Sequence, residues 1–281
     1  MDLNEIRTAI VAAIASDERL VDILVFKGGN ALELIYRIGQ RSSLDMDFSM
    51  QGDVQEASEI ADRLFAALHA RFQAAGLVIF DERFEARPPN REPGDPWGGY
   101  GAEFKLIELE TYNDLGGNLE AIRRQAIELG PEHQRKFKIE ISPFEHTVGK
   151  VSVEVEGNTA YVYTVEMIAV EKLRAICQQS PDYPHRSHPA PRARDFYDIH
   201  SAISEGGVDL ASPQTVELIR KVFAAKDVEL SLLRQINDQR EFHRPDWSSV
   251  QNAVRVRLRQ FDFYFEFVLA EIERLESLWV E

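Results

Sequence analysis

Two short motifs in the segment 26–50, FKGGNALELIYRIGQRSSLDMDFSM, hold residue types suited to nucleotide chemistry. The first is Lys27-Gly28-Gly29-Asn30; the second is Asp45-Met46-Asp47. In a strand, side chains alternate between faces, so Asp45 and Asp47 point the same way while Leu44, Met46 and Phe48 supply the opposite, apolar face. Two neighbouring carboxylates repel each other and resist burial, unless a divalent cation lies between them. A Gly-Gly turn lets backbone N–H groups approach phosphate closely, above all where it leads into a helix. Taken alone, Gly28-Gly29 reads equally as a tight turn, and the aspartates as surface acids of an edge strand. Together, a phosphate cradle and a pair of metal-binding carboxylates point to a nucleotide site.

The elements that must position these motifs follow from periodicity. Residues 3–16 read as an amphipathic helix and 21–26 as a short apolar strand ending at the Gly-Gly turn. Asn30 is placed to cap the next helix, over 31–38, and 44–49 is the strand that carries the aspartates. Ile60, Leu64, Leu68 and Phe72 mark a helix over 56–75, and strand-like runs follow at 76–84, 100–108, 137–142 and 151–155. The Pro- and Gly-rich 87–99 reads as a loop, 112–117 as a turn and 119–129 as a short helix. From 164 onward the pattern turns helical, over 165–178, 194–204, 212–225 and 253–278, with a polar loop at 178–192. This predicts an α/β domain over 1–163 followed by a helical domain over 164–281.

Composition bounds the function. A chain of 281 residues that is 44% hydrophobic and 28% charged is neither disordered nor a disulfide scaffold. The N-terminal residues lack the pattern of a signal peptide and no segment is apolar enough to span a bilayer, which predicts a cytoplasmic protein without membrane contact. The single cysteine, Cys177, falls in a helical pattern as a buried thiol rather than a nucleophile. The net charge of −15 leaves any nucleic-acid contact to a local basic patch, such as His185, Arg186, His188, Arg192 and Arg194. His185 and His188 are the one histidine pair with near metal-ligand spacing, too little for a zinc site.

Four segments together resemble one family. Lys27-Gly28-Gly29-Asn30-Ala31-Leu32 and Arg41-Ser42-Ser43-Leu44-Asp45-Met46-Asp47-Phe48-Ser49 are similar to the KGG-T-AL and R-x-S-x-D-I-D-F-S pattern of the AbiEii/AbiGii nucleotidyltransferase toxins, a family that includes the MenT toxins. Glu171-Lys172-Leu173-Arg174-Ala175 and Arg192-Ala193-Arg194-Asp195-Phe196-Tyr197-Asp198 resemble the later E-K-L-x-A and R-x-R-D-x-x-D segments, in family order. The resemblance implies an α+β fold with a DNA-polymerase-β-like nucleotidyltransferase core, a mixed sheet flanked by helices, followed by an α-helical C-terminal domain. It implies an NTP-dependent enzyme that transfers an NMP to an acceptor hydroxyl and releases pyrophosphate. It also implies a toxin of the abortive-infection kind, with a cognate antitoxin as partner and tRNA as an acceptor of some members.

The same resemblance assigns roles. Asp45 and Asp47 hold Mg²⁺ (or Mn²⁺), Gly28 and Gly29 form the turn against the triphosphate, and Lys27, Asn30, Arg41 and Ser43 accompany them in nucleotide binding. Lys172 contacts the nucleotide or takes part in catalysis, and Asp195 orients Lys172 or Arg194 or meets the nucleotide itself, so the expected site lies in a cleft between the domains. A third metal carboxylate is expected on a neighbouring strand; Glu140 is the choice, with Glu108 and Glu154 as competitors. Plainer readings stay open: a Glu140–Lys138 surface pair, a Lys172–Glu171 surface cluster, Asp195 or Asp198 as helix N-terminal acids, Arg41 in a surface salt bridge, Ser43 as a turn cap. Asn30 departs from the family's Thr or Ser and cannot supply a hydroxyl. Two other functions remain: a small-molecule nucleotidyltransferase acting on cationic aminoglycosides, and a non-catalytic nucleotide-binding regulator.

Overall fold

The computed structural model describes all residues except 40, 42–44, 93, 96, 130–132, 186–187, 255–256 and 280–281. The chain divides into two compact units: residues 1–26 with 44–162, and residues 27–43 with 163–281. The segment that carries the Gly-Gly motif therefore groups with the C-terminal helices rather than with the strand that carries the aspartates.

The first unit is built on a mixed sheet. Its strands are β1 (Val25–Lys27, whose last residue already belongs to the second unit), β2 (Asp45–Ser49), β3 (Leu77–Arg87), β4 (Gly99–Glu108), β5 (Phe137–Ser142), β6 (Val151–Val155) and β7 (Asn158–Val162). They lie in the order β3-β4-β5-β2-β1-β7-β6. β2 runs parallel to β5 and β1 parallel to β7, while β3/β4, β4/β5 and β6/β7 are antiparallel. Helices α1 (Leu3–Ser16), α2 (Glu18–Ile23), α4 (Ala57–Gln73), α5 (Leu109–Asp114) and α6 (Leu119–Gln125) flank it. α1 opens on a capping box, with Asp2 accepting from the Glu5 N–H and Glu5 from the Asp2 N–H. The predicted apolar stripe of α4, Ile60, Leu64, Leu68 and Phe72, is buried, and the helix packs on α1 and β3. The alternation of β5 puts Phe137, Ile139 and Ile141 into the core, where Phe137 stacks on Phe104 at 5.4 Å between ring centres. On β2, Met46 and Phe48 do the same, Phe48 against Phe26 at 5.3 Å.

The second unit is helical. Helix α3 (Gly28–Ala31) opens with Gly28 at φ 76° and widens into a π turn, Leu32–Tyr36, that Arg37 ends in the left-handed region. The Tyr36 hydroxyl donates to the Tyr163 carbonyl at 2.7 Å. Then come α7 (Val165–Cys177), α8 (Ala193–Ser204), α9 (Pro213–Ala224), a ten-residue 3₁₀ stretch (Leu230–Gln239), α10 (Arg240–His243), α11 (Trp247–Ala253) and α12 (Phe261–Glu273). α7 packs on α8 and α9, and α8 on α11 and α12. The core between them is aromatic: Phe196 meets Phe265 at 5.0 Å, His243 at 5.2 Å and Phe261 at 5.6 Å. Cys177 is fully buried, and burial raises its thiol pKa far above the ordinary value.

Several boundaries differ from the sequence reading. Residues 21–23, expected as the start of a strand over 21–26, belong to the helix Glu18–Ile23, which Asp17 caps by accepting from the Arg19 and Leu20 N–H groups. Strand β7 escaped notice, since polar Asn158 and Thr159 open it. The turn expected at 112–117 is partly helix α5. The helix expected over 253–278 is interrupted: α12 starts only at Phe261, after Val254 has paired across to Arg41 in an isolated antiparallel bridge.

Candidate active site

On the sheet of the first unit, β2 and β5 run side by side with Asp45 opposite Lys138 and Asp47 opposite Glu140. Partners in a parallel ladder share a face, so Asp45, Asp47 and Glu140 stand on one side of the sheet and the buried Met46, Phe48, Ile139 and Ile141 on the other. Asp45 and Asp47 are partly exposed and Glu140 is exposed. The burial explains why the strand pair forms there: its apolar face anchors both strands and sets the carboxylates on the other face.

Glu140 has company that the sequence did not announce. Arg87, at the end of β3, reaches over Gly101 to donate to Glu140 at 3.4 Å and to Glu103 at 3.0 Å. A Cβ on Gly101 would lie 2.5 Å from Arg87 Nε, so the glycine is what lets the guanidinium cross β4. Lys136 Nζ completes the cluster at 2.8 Å from Glu103, and these cations hold the Glu103 carboxyl below its usual range. Glu140 pairs with Arg87 rather than with Lys138, the partner expected of a surface pair. Of the competing carboxylates, Glu108 ends β4 opposite Leu77 and Glu154 lies on β6 opposite Thr159, strands that do not adjoin β2. Among the described residues no group of three or more His, Cys, Asp or Glu is set to hold a metal ion. Two same-face aspartates still suit Mg²⁺ or Mn²⁺, since such hard cations take oxygen donors and Mg²⁺ is commonly held by one or two carboxylates plus substrate phosphates and water.

The helical unit gathers the other predicted residues. Lys172 on α7 is buried and makes ion pairs with Asp195 at 3.1 Å and Asp198 at 2.7 Å, both on α8. Asp198 also takes a two-pronged bond from Arg41, Nε to Oδ1 at 3.0 Å and Nη2 to Oδ2 at 2.8 Å. Asp195 is bonded by Arg192 as well. Despite burial, these cations hold the carboxyl of Asp195 down at about 2 and that of Asp198 below its usual range. The two carboxylates in turn keep the Lys172 ammonium charged, its pKa above the ordinary lysine value in spite of burial. A second chain runs beside the first: Lys27, buried ahead of α3, pairs with Glu171 at 3.1 Å, and Glu171 lies 3.6 Å from Arg174.

Each reading now has a location. Arg41 is in a buried bridge, not a surface one, and Asp195 faces Lys172, not Arg194, which is solvent-exposed and nearest Asp246 at 3.9 Å. Asn30 is fully buried in the third position of α3; Lys27 occupies the cap position, so the expected capping role falls away. A Cβ on Gly29 would lie 2.4 Å from Arg41 Nη2 and 3.3 Å from Asp198 Oδ2, so this glycine makes room for the bridge. Ser43 lies outside the described residues. Sequence reasoning gave little weight to Asp198, set Glu171 only in a surface cluster with Lys172, and gave none to Arg174 and His243. Charged residues three apart on helices otherwise buried were the available signal. His243 is fully buried: its Nδ1 accepts from the Arg192 N–H at 3.0 Å and its Nε2 lies 3.2 Å from Gln239, and burial lowers its pKa to about 4, so the ring is neutral.

The family model of the nucleotidyl transferase AbiEii toxin, type IV TA system, matches residues 9–267. The chain belongs to this family. It is a nucleotidyltransferase of a toxin family, and membership implies a nucleotide substrate and an antitoxin partner. No curated protein matches it. Among solved structures it is similar to JHP933 from Helicobacter pylori, at 18% identity and a TM-score of 0.47, over 98% of this chain and 90% of that one. It is also similar to an antigenic nucleotidyltransferase-like protein from Paracoccidioides brasiliensis, at 16% identity and a TM-score of 0.38, over 90% and 95% of the two chains. Among the described residues no helix is long and apolar enough to cross a membrane.

Proposed function

We propose that this AbiEii-family nucleotidyltransferase is metal-dependent, moves an NMP from an NTP to the 3′ hydroxyl of a tRNA, and acts in the cytoplasm as the toxin of its antitoxin pair. The observation that carries the reading is the acidic sheet face, where Asp45 and Asp47 stand on the same side of a strand whose other side is anchored in the core. Asp45 and Asp47 would hold Mg²⁺ or Mn²⁺, while Glu140, in register beside Asp47, is taken up by Arg87. The cation, when bound, neutralises phosphate charge and lowers the pKa of the attacking hydroxyl. In the reaction the acceptor oxygen bonds to the α-phosphorus, the bond from that phosphorus to the pyrophosphate oxygen breaks, and the hydroxyl gives up its proton.

In this reading Lys172 is a phosphate-contacting cation kept charged by Asp195 and Asp198, and Arg41 is held by Asp198 in a fixed orientation. Lys27, Gly28, Gly29 and Asn30 form the turn against the triphosphate. The net charge of −15 favours a second acceptor class, a polycationic small molecule of the aminoglycoside type. The test is incubation with each labelled NTP, Mg²⁺ and either total tRNA or an aminoglycoside panel. Label should enter tRNA with the wild type and fall by at least a hundredfold in an Asp45→Ala/Asp47→Ala double variant, which removes both metal ligands. Equal labelling by the two proteins would refute metal binding at Asp45 and Asp47; label in the drug alone would move the acceptor.

A further inference from the structure

The segment after α11 reads Val254-Arg-Val-Arg-Leu-Arg259-Gln-Phe-Asp-Phe263, a run of alternating arginine and apolar residues that no function assigned above uses. Its end is displayed on the helical unit. Arg257 and Arg259 are exposed, and so is Phe263 on the first turn of α12, at 43%. The Arg259 guanidinium lies over the Phe263 ring at 5.3 Å. Phe263 also meets His200 of α8 edge-on at 5.4 Å, and His200 leans on Phe267 at 4.6 Å, which makes a ledge of three rings. Burial lowers the His200 pKa, so at neutral pH it contributes a ring rather than a charge.

Charge favours an anion here, although the chain as a whole is strongly acidic. The nearby carboxylates already have partners. Asp262 is held by Arg244 at 2.8 Å and by Arg240 at 3.2 Å, Glu266 by Arg240, and Glu241 by Arg244. Glu205, which also faces His200, accepts from the Gly39 N–H at 3.2 Å. The first residue of the segment, Val254, is bridged to Arg41, whose guanidinium grips Asp198 beside Lys172.

We infer that Arg257, Arg259 and the Phe263–His200–Phe267 ledge form a platform for the single-stranded end of a polynucleotide acceptor, with a base stacked on Phe263 and phosphates on the two arginines. The inference rests on the nucleotidyltransferase reading, since it supplies that enzyme with a means of holding its acceptor. Base stacking on aromatic rings tolerates any base, and arginines beside such rings follow the backbone, a combination typical of single-strand binding. A neutral or cationic small acceptor has no need of it.

The experiment measures binding of fluorescent, unstructured RNA and DNA 12-mers to the full chain by anisotropy, across a salt series and without NTP. Phe263→Ala should weaken binding by about five- to hundredfold, and Phe263→Leu should weaken it too while keeping the apolar contact; Phe263→Trp should restore it. Arg257→Ala/Arg259→Ala should flatten the log–log salt dependence by about 1 to 1.5, the share of two lost phosphate contacts on a single strand. Melting curves check that each variant is folded. Binding of RNA alone or of both polymers supports the platform. Wild-type protein that binds neither 12-mer at about 50 mM salt, or variants that match the wild type in affinity and salt slope, would overturn it. The two proposals fail separately. Transfer to RNA with an unaltered KM for RNA in the arginine variant sinks the platform alone. Binding through Phe263 with no transfer by the wild type sinks the tRNA reading alone.

Discussion

Replacing Asp198 by Asn probes the buried network where its charges converge. The carboxylate balances two cations at once, Lys172 at 2.7 Å and Arg41 through two bonds of 3.0 and 2.8 Å, and all three side chains are buried. At an effective dielectric of about 20, one such pair attracts by roughly 6 kcal/mol, most of which offsets desolvation. Breaking a buried pair from one side costs about 3–5 kcal/mol, because the remaining charge is stranded. Asn keeps the volume and an acceptor oxygen, and Asp195 still serves Lys172 at 3.1 Å, so the low end, about 3 kcal/mol, is expected. That corresponds to a fall in Tm of roughly 6–12 °C. Urea titration and thermal melts at pH 7 measure it. Adding Lys172→Met to Asp198→Asn removes one of the stranded cations, so the double variant should lose less than the sum of the single losses, by about 1–3 kcal/mol. An Asp198→Asn protein within about 0.5 kcal/mol of the wild type, or strictly additive losses, would refute the claim that these charges are coupled and buried together.

Two further outcomes follow from the same unit. Gly29→Ala sets a Cβ 2.4 Å from Arg41 Nη2 and should destabilise by about 1–3 kcal/mol in thermal melts, and by less in an Arg41→Met background, where the obstructing guanidinium is gone. The pH dependence has two stages. His243 has its pKa lowered to about 4, so the unfolded chain takes up a proton first and stability should fall as pH drops from about 6.5 to about 4; His243→Gln should make that slope in urea midpoints shallower, the remainder belonging to His200, whose pKa burial also lowers. Asp195, held at about 2, and Asp198, also lowered, contribute stability that is fully present above the ordinary carboxylate range, near 4, and is lost as pH falls through their folded values.

Much of the sheet was legible because its signal is local. The alternation in 137–142 and the stripe in 56–75 announce β5 and α4 directly, since one face of each must leave water. Element ends were less legible where a single cap decides them, as at Asp17, or where a stretch is paired at long range, as at Val254. The residue types of the candidate site were legible as motifs, but their partners were not. Asp195 next to Lys172 could be read from motif order; Asp198 as the partner of Arg41, 157 positions away, could not. Arg87 lay in what read as a loop, and its reach to Glu140 depends on the gap left by Gly101, an alignment of three adjacent strands that no local pattern shows.

By itself the sequence determined the chemistry on offer: two aspartates on one face of a strand, a Gly-Gly turn, and four ordered motifs that mark a nucleotidyltransferase of the AbiEii family. Side-chain period and residue type are properties of a few adjacent positions, so they survive without a fold. Only the tertiary structure decided which charges meet. It set Glu140 beside Asp47 through the parallel register of β2 and β5. It buried Lys172 between Asp195 and Asp198, and made Gly29, read from the sequence as part of a turn, the space that a buried Arg41–Asp198 bridge requires. The reason is that burial and pairing depend on distances between remote segments, and in a low-dielectric interior those distances govern both ionisation and stability.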